Sequence, residues 1–310
     1  MITSQSANTL LLVRPTNFGF NAQTAENNSF QTKIESRKLQ ELALNEFNNL
    51  VIVLRSAKVN VIVVDDEPQS QLPDAIFPNN WFSTHSDGSF CLYPMFAENR
   101  RFERKTSIIE MLKKCFDVEK TVDFTHYETN NKFLEGTGSL VLDRTNHIAY
   151  SCLSPRTNED ILDDFCAQLQ YEKCCFRTSF EGKEIYHTNV MMTVADEYVI
   201  ICTQSITNNS ERETVIRKLK STGKEIIEIT IDQVGHFAGN MLQISNVDGK
   251  LFLAMSAQAY NSLDHKQKQK IKRYNDILYS DISTIEMVGG GSVRCMLAEI
   301  FLKQNLKNNG

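Results

Sequence analysis

The sequence predicts an α/β fold in which five repeated units form a five-bladed propeller with pseudo-fivefold symmetry. Three observations support this prediction: an order of hairpin, helix and strand that recurs along the chain, turn residues between short β-rich segments, and apolar residues at helical spacing after each hairpin. The repeat lies in the order of the elements and not in the residues themselves. We therefore expect one domain over residues 1–310.

The first unit is built around a tight turn. Asp87 and Gly88 separate two β-rich segments, as turn residues do in a hairpin, and Ile108, Leu112 and Phe116 then follow at helical spacing. The second unit repeats this order around a turn at residues 144–146. The predicted hairpin strands, helix and closing strand are residues 81–84, 90–95, 100–116 and 121–124 in the first unit, and 139–142, 148–152, 158–169 and 174–179 in the second.

The third and fourth units show the same signals. Their hairpin turns fall at residues 195–197 and 247–249, where polar residues or glycine interrupt β-rich segments. The predicted strands, helix and closing strand are residues 190–194, 198–202, 210–219 and 225–229 in the third unit, and 241–245, 251–255, 264–274 and 284–287 in the fourth.

Both ends of the chain supply the fifth unit. Residues 296–302 are predicted to pair with residues 10–13, and a helix at 34–54 and a strand at 59–64 complete the unit. This pairing closes a ring, which removes exposed sheet edges as in propellers. The alternative is an open α+β sheet built from the same elements.

A polar or reactive residue precedes the first strand of every unit. These residues are Asn80, Glu135, His187, Asn240 and Cys295. Taken singly, each has an ordinary interpretation: a loop carboxylate or amide, a hydrogen-bonded histidine or a buried thiol. In a closed ring, however, equivalent positions point to one axis, so their common place favours an active site.

The segment around Cys295 has the composition of a nucleophile loop. Three glycines, residues 289–291, precede it, and glycine lets the backbone come close to a ligand because it has no Cβ. A cysteine at such a place is suited to nucleophilic attack. His187 supplies a candidate base, and Glu135 a group that binds N–H donors and transfers protons.

Charge and composition exclude several classes of function. The net charge is −5 with acidic and basic residues mixed, so the sequence predicts no nucleic-acid surface. No apolar stretch is long enough to span a bilayer, and the first residues lack the features of a signal peptide, so we expect a cytoplasmic protein without membrane partners. The eight cysteines include no C-x-x-C pair or zinc spacing; we expect reduced thiols, no metal and no cofactor.

Three motifs together resemble the guanidino-group-modifying enzymes, the pentein superfamily. They are Leu134-Glu135-Gly136, the segment around His187 and the glycine-rich segment that ends in Cys295. The superfamily includes arginine deiminases, dimethylarginine hydrolases and amidinotransferases, and its fold is a five-bladed α/β propeller. Residues 13–21, 77–81 and 186–189 are most similar to the citrulline utilisation hydrolases.

The resemblance implies roles for particular residues. Cys295, His187 and Glu135 correspond to the catalytic set. The stretch 95–103 is similar to the M-x-x-x-x-R-R-x-E pattern whose arginines hold the substrate α-carboxylate, which implies that role for Arg101 and Arg100. The remaining candidate substrate-binding residues are Asn80, Asn189, Asn21 and Asn240. The implied partner is a small amino-acid substrate, with a homodimer as a further expectation.

The chain departs from the arginine-acting pattern at two positions. Deiminases carry aspartates where Asn80 and Asn189 stand here. Removing one partner of a buried ion pair costs about 3–5 kcal/mol, so a cationic guanidinium would bind poorly. A neutral ureido group matches the donor and acceptor of an asparagine amide.

We therefore predict a cysteine-dependent hydrolase that converts citrulline and water to ornithine, ammonia and carbon dioxide. Two alternatives remain open at this point. The first is an arginine deiminase or dihydrolase on the same fold. The second is a non-catalytic propeller that serves as a binding module.

Overall fold

The computed structural model describes residues 4–34, 36, 38–66 and 71–305. Within them the strands form five three-stranded sheets and one small hairpin. In each three-stranded sheet the first strand runs antiparallel to the second, and the second runs parallel to the third. The mixed α/β architecture and the recurring unit of hairpin, helix and strand are therefore confirmed.

The strands follow the chain in this order. They are β1 Thr9–Arg14, β2 Asn60–Asp65, β3 Phe82–Thr84, β4 Ser89–Leu92, β5 Lys120–Asp123, β6 Val141–Asp143, β7 Ile148–Cys152, β8 Glu172–Phe176, β9 Ser179–Phe180, β10 Lys183–Glu184, β11 Met192–Val194, β12 Tyr198–Ile201, β13 Glu225–Glu228, β14 Leu242–Ser245, β15 Leu251–Ser256, β16 Asp276–Ser280 and β17 Ala298–Ile300. The sheets group β17-β1-β2, β3-β4-β5, β6-β7-β8, β11-β12-β13 and β14-β15-β16.

The helices connect these strands or precede them. They are α1 Ala22–Ala25, α2 Leu39–Ser56, α3 Thr106–Cys115, α4 Gly136–Ser139, α5 Glu159–Leu169, α6 Asn209–Ser221, α7 Ile231–Gly235, α8 Ala257–Ser262, α9 His265–Lys272, α10 Ser283–Gly289 and α11 Val293–Met296. Side-chain caps define several of their starts: Asn158 caps α5, Asn208 caps α6 and Asp264 forms a capping box on α9. None of the helices in the described ranges is long and apolar enough to cross a bilayer.

The middle strand of each sheet carries much of the core. β7 and β12 are buried along their whole length, as expected for apolar strands covered on both faces. Helices pack on these strands through apolar faces, such as Ile161, Leu162 and Phe165 of α5. This packing leaves the loops at one end of the strands free to carry polar side chains.

The last strand of the chain pairs with the first, as the sequence predicts. Leu10 lies opposite Glu299 and Leu11 opposite Ala298 in the antiparallel pair of β17 and β1. β17 in turn lies beside β3, and β11 lies beside both β6 and β14. First strands of different sheets are therefore neighbours, which brings the loops before them together.

The predicted strand 284–287 is wrong. This segment lies in helix α10, and the third strand of that sheet is β16, which pairs parallel with β15. Ile282, Ile285 and Val288 are buried at a spacing of three residues, which fits one face of a helix better than alternation along a strand. The sequence of this segment predicts a strand with a period of two residues, whereas its buried residues follow the period of a helix.

Several predicted boundaries also differ. The predicted helix 100–116 is a 3-10 helix, Glu98–Glu103, followed by α3, and the predicted helix 34–54 starts only at Leu39. The predicted strand 90–95 ends at Leu92, two residues before Pro94, which has no N–H to donate to a sheet. The charged segment 98–103 is thus a short, separate turn beside the candidate site.

Candidate active site

The five residues that precede the first strands do come to one end of the sheets, but not at one equivalent position. Counted back from the next strand, Asn80 and Asn240 lie two residues away, Cys295 three, His187 five and Glu135 six. The expectation of strict equivalence is therefore wrong, because the residues take different places in the one-turn helices: Asn80 ends its helix, whereas Glu135 and His187 precede theirs as N-cap residues. The five residues therefore lie at the same end of their sheets, but at different distances along the chain from the strand that follows.

Cys295 lies in the short helix α11 and is 3% exposed. Two side-chain amides donate to its sulfur: Nδ2 of Asn240 lies 3.3 Å and Nδ2 of Asn189 3.5 Å from Sγ. Nδ2 of Asn240 also lies 2.9 Å from the Asn189 carbonyl oxygen, which fixes the two amides relative to each other. The two N–H donors therefore stabilise a negative charge on the sulfur.

His187 and Glu135 form a buried pair. Nε2 of His187 lies 2.8 Å from Oε2 of Glu135, and the other carboxylate oxygen accepts the backbone N–H of Phe96 at 2.9 Å. An ionised carboxylate only accepts hydrogen bonds, so Nε2 carries the proton and Nδ1 has the free lone pair. The pair thus sets the tautomer of the imidazole.

The charges of the pair follow from its surroundings. Burial alone would raise the pKa of Glu135, but the nearby Arg156 and Arg100 guanidinium groups and the His187 hydrogen bond lower it to about 2. Burial lowers the pKa of His187 to about 4, against the opposing effect of Glu135. At neutral pH the pair is therefore an ionised carboxylate and a neutral imidazole with a basic Nδ1.

Gly138 leaves room for two groups of the site. A Cβ at this position would lie 2.5 Å from Nδ2 of Asn80 and 2.6 Å from Nδ1 of His187. Any side chain would therefore collide with both groups. The glycine lets the amide N–H₂ and the imidazole lone pair approach the same point.

Arg100 is buried and its guanidinium is largely occupied. It forms a two-pronged ion pair with Glu103, with both contacts at 2.9 Å, and Nη1 donates to Oδ1 of Asn80 at 2.9 Å. A further contact places Nη1 at 3.9 Å from Glu135. Arg100 therefore orients Asn80 and adds positive charge, and it has little capacity left for a substrate carboxylate.

Arg101 lies at the edge of the site instead. Its side chain is 25% exposed, Nε donates to the Met95 carbonyl oxygen at 3.1 Å, and the guanidinium lies 5.8 Å from the Phe133 ring. Nε is also 3.7 Å from a carboxylate oxygen of Glu128. In the part of the chain that the structure describes, its terminal nitrogens make no hydrogen bond.

Asn21 caps helix α1 and contacts the site indirectly. Its Oδ1 accepts the N–H of Gln23, and its Nδ2 donates to Oδ2 of Asp74 at 2.8 Å. Thr24 of the same helix donates to the same carboxylate oxygen at 3.1 Å. The resemblance therefore led to a residue that holds a site residue in place.

Sequence reasoning missed two buried charged residues of the site. Asp74 is 2% exposed; its Oδ1 has no hydrogen-bond partner among the described residues, and burial raises its pKa. Arg156 is also 2% exposed, and its Nη1 lies 3.6 Å from Glu135 while Nη2 donates to the Thr24 carbonyl oxygen. A signal for Arg156 was present, because it follows the second strand of its unit as Arg100 does.

Several of these residues line a small cavity of about 10 Å³. Its lining includes the charged side chains of Asp74, Arg100 and Arg156 together with Asn80, His187 and Cys295. Asn189 and Asn240 contact the cysteine from outside this lining. The segment from Asn21 to Thr32 covers the cavity: Nδ2 of Asn28 donates to the Gly290 carbonyl oxygen at 3.2 Å, and the Met287 carbonyl oxygen accepts the Thr32 N–H at 2.7 Å.

A family model matches residues 14–302 of the chain. Its description is N,N dimethylarginine dimethylhydrolase, eukaryotic. No curated protein sequence matches the chain.

Solved structures of low sequence identity share the fold. The apo structure of ArgZ, an arginine dihydrolase from the ornithine–ammonia cycle in cyanobacteria, superposes with a TM-score of 0.74 at 14% identity, over 97% of this chain and 41% of that one. This chain therefore spans less than half of that relative. Its match to the N-terminal domain of ArgZ, a cysteine-to-serine mutant bound to substrate, covers 98% of that domain with a TM-score of 0.71 and 14% identity.

A third structure is similar along its whole length. It is a dimethylarginine dimethylaminohydrolase, a histidine-to-glycine variant in an adduct with S-methyl-L-thiocitrulline. The TM-score is 0.62 at 16% identity, and the match covers 95% of this chain and all of that one.

Proposed function

The chain belongs to the family of eukaryotic-type N,N-dimethylarginine dimethylhydrolases, and we propose that it hydrolyses a C–N bond in the side chain of citrulline. Membership confirms the resemblance to the guanidino-group-modifying enzymes. The choice of citrulline within the ureido and guanidino amino acids rests on the site itself.

The orientation of Asn80 carries this choice. Arg100 has only N–H donors, so the group of Asn80 that faces it at 2.9 Å is the oxygen, and Nδ2 points away from it. That Nδ2 is buried, has no partner in the described structure, and lies near Nδ1 of His187 around Gly138. A ureido carbonyl oxygen accepts such a donor, whereas a guanidinium presents only N–H groups.

The distribution of charge supports the same substrate. The carboxylate of Glu135 already contacts His187, Arg156 and Arg100, so little of its charge remains for a cationic head group. The groups around Cys295 are the neutral amides of Asn189 and Asn240. Cancelling a buried guanidinium charge needs a carboxylate close by, and a neutral ureido group does not.

Two charged groups of the cavity lining match the backbone end of an amino acid. The unpartnered Oδ1 of Asp74 matches an α-ammonium group, and the Arg156 guanidinium, with its Nη1 in only a 3.6 Å contact, matches an α-carboxylate. Arg101 does not line the cavity, and its place as a second candidate for the carboxylate rests on the resemblance of its sequence motif. Because Arg100 is occupied by Glu103, we assign it the orientation of Asn80.

The reaction proceeds through the cysteine. Nδ1 of His187 takes the thiol proton and the Cys295 sulfur attacks the ureido carbon. The N–H₂ of Asn80 stabilises the oxygen that becomes negative. The C–N bond to ornithine breaks as His187 returns the proton to the leaving nitrogen, and a carbamoyl thioester remains.

Water completes the cycle. His187 takes a proton from a water molecule, which attacks the thioester, and the C–S bond breaks to regenerate Cys295. The carbamate that leaves decays to ammonia and carbon dioxide. Glu135 holds the imidazole in the required tautomer throughout and stabilises the protonated imidazole between the steps.

The fold that supports this site is, in our proposal, a closed five-bladed α/β propeller that forms one catalytic domain over residues 1–310. The pairing of β17 with β1 and the contacts of β17 with β3, and of β11 with β6 and β14, support closure. Candidate residues from all five units around one group of loops fit this arrangement.

Hydrolysis of arginine is the second candidate function. The fold similarity to arginine dihydrolases favours it. The hydrogen-bonded pair of Glu135 and His187 serves a guanidino or a ureido substrate equally well. The two candidates differ in what Asn80 must contact. Binding affinity therefore separates them.

Calorimetry with the Cys295→Ala protein tests the proposal, since this variant cannot form the covalent intermediate. We expect citrulline to bind at least about tenfold more tightly than arginine, or about 1.4 kcal/mol, because only citrulline accepts a hydrogen bond from Asn80. Ornithine serves as a control that lacks the head group. Tighter binding of arginine than of citrulline would favour the second candidate.

A further inference from the structure

Glu286 is a buried carboxyl group that the proposed reaction does not use. It lies in helix α10, three residues before the first of the glycines that precede Cys295, and is 2% exposed. Its Oε2 has no hydrogen-bond partner among the described residues, and no ion pair to it exists within them. A buried carboxyl group without a cation is costly, so its position calls for an explanation.

Its contacts connect both ends of the glycine loop. The backbone oxygen of Glu286 accepts the N–H of Gly290 at 2.9 Å, and its Oε1 accepts the hydroxyl of Ser292 at 2.6 Å. The carbonyl oxygen of Ser292 accepts the N–H of Cys295 at 3.0 Å. The side chain of Glu286 thus bonds to Ser292, whose carbonyl oxygen bonds to Cys295. The backbone of Glu286 bonds to Gly290, which lies in the loop between Glu286 and Cys295.

Ser292 occupies the N-cap position of helix α11 but does not cap it with its side chain. An N-cap serine usually accepts an N–H of the first helical turn. Here its hydroxyl donates to Glu286 instead. Ser292 therefore forms a hydrogen bond to the Glu286 carboxyl group in place of the usual N-cap hydrogen bond.

We propose that Glu286 is a positioning residue for Cys295, and that its carboxyl group holds Ser292 and thereby sets the conformation of the loop Gly289–Gly291. The proposal rests on the proposed function for the role of Cys295. Ionisation of Glu286 would create a buried charge without a cation next to the loop. We therefore expect the loop conformation to be most stable when the carboxyl group is protonated.

The neighbours of Glu286 make ionisation difficult. Ser292 and Ser256 are polar and neutral, and the charged groups that face it from other elements, Asp281 and Glu46, are both acidic. Burial, with a smaller effect of these two acids, raises the pKa of Glu286 to about 7. Glu46 is itself held at the start of α10, where it accepts the N–H groups of Thr284 and Ile285.

The test compares variants at the two ends of the connection. Glu286→Gln keeps a neutral acceptor for Ser292, whereas Glu286→Ala and Ser292→Ala remove the hydrogen bond. We expect Glu286→Ala and Ser292→Ala to lower kcat about tenfold or more with little change in KM, since small displacements of a reacting group are costly. Glu286→Gln should restore most of that kcat.

The pH profile of Cys295 alkylation by iodoacetamide supplies the second readout. We expect two ionisations in the native protein and one in Glu286→Gln. Glu46→Ala is the matched control: it weakens the start of the same helix and should lower Tm, but the alkylation profile should still show both ionisations, because Glu286 keeps its carboxyl group.

Two outcomes would overturn the proposal: a wild-type kcat in both Glu286→Ala and Ser292→Ala, or superimposable alkylation profiles of the native protein and Glu286→Gln. If neither citrulline nor arginine is hydrolysed, the proposed function fails, and the alkylation profiles still decide the role of Glu286.

Discussion

At the scale of single residues, the amide of Asn80 decides how the site is interpreted. Its oxygen is held by Arg100 at 2.9 Å, so the direction of its N–H₂ group is fixed by a neighbour that only donates. The sequence alone indicated that an amide stands where deiminases carry an acid. It could not indicate that the donor side of this amide faces the cavity, because the arginine that turns it lies twenty residues away.

Charge exchange at two asparagines tests this interpretation. We expect Asn80→Asp combined with Asn189→Asp to shift the ratio of kcat/KM values toward arginine, because one carboxylate then lines the cavity, a second lies beside Cys295, and Asn80 no longer donates. Steady-state rates with both substrates measure the shift. Asn146→Asp, an exposed position in a hairpin turn, is a matched control that should leave the ratio unchanged. An unchanged ratio in the double variant would contradict the argument from charge.

Other residues of the site show where sequence reasoning stops. Cys295, His187 and Glu135 carry chemically reactive groups in recognisable motifs, so the sequence alone predicts them as candidate catalytic residues. Asp74 and Arg156 lie in loops without such a motif. Only burial and the unpartnered Oδ1 of Asp74 distinguish them from ordinary surface charges.

At the scale of elements, one-turn helices before the first strands position the site. Helix α4 contains two glycines, and one of them, Gly138, lies against both Asn80 and His187. The sequence predicted a loop with glycines at this place. It did not predict which glycine is required, since that depends on contacts between three separate units.

Gly138→Ala tests the close approach. The new Cβ would lie 2.5 Å from Nδ2 of Asn80, so we expect loss of most of the kcat while the protein remains folded. Circular dichroism and steady-state rates measure the two effects. Gly19→Ala is the control, since nothing lies within 4 Å of its Cβ position. Equal activity of the two variants would show that Asn80 and His187 need not occupy that space.

The error at residues 284–287 has a physical cause at the same scale. A helix with three buried residues on one face and a short apolar strand share the same composition, so a segment of four residues cannot separate them. The true strand, β16, contains Asp276 and Ser280 and alternates less clearly. Sheet pairing with β15, which is a tertiary effect, determined the outcome.

At the scale of the whole molecule, the recurring order of elements was the most reliable information in the sequence. It predicted five units of hairpin, helix and strand and the pairing of the last strand with the first. The order survives because each unit must cover its own hairpin with a helix. The distance along the chain between a site residue and the strand that follows varies from unit to unit.

The dependence of stability on pH gives a prediction for the whole chain. The pKa of Glu286 is about 7 in the folded protein against an ordinary 4.5, so the folded state binds more protons between these values. Its contribution to the free energy of unfolding therefore falls as the pH rises from about 4.5 to about 7. We expect Glu286→Gln to be more stable than the native protein above that window, and the difference to shrink in acid.

Thermal unfolding of both proteins across this window measures the difference. Glu213→Gln, an exposed acid on helix α6 outside the site, is the control and should leave the pH dependence of Tm unchanged. A constant difference in Tm between Glu286→Gln and the native protein at all pH values would contradict the prediction.

The most direct measurement is amino-acid product analysis of the purified protein with L-citrulline and, separately, with L-arginine, beside the Cys295→Ala variant. We predict ornithine and ammonia from citrulline, arginine left unchanged, and no product from the variant. Conversion of arginine with citrulline left unchanged would contradict the account, since the neutral amides would then accept a cation. Products from the Cys295→Ala protein would contradict the covalent mechanism.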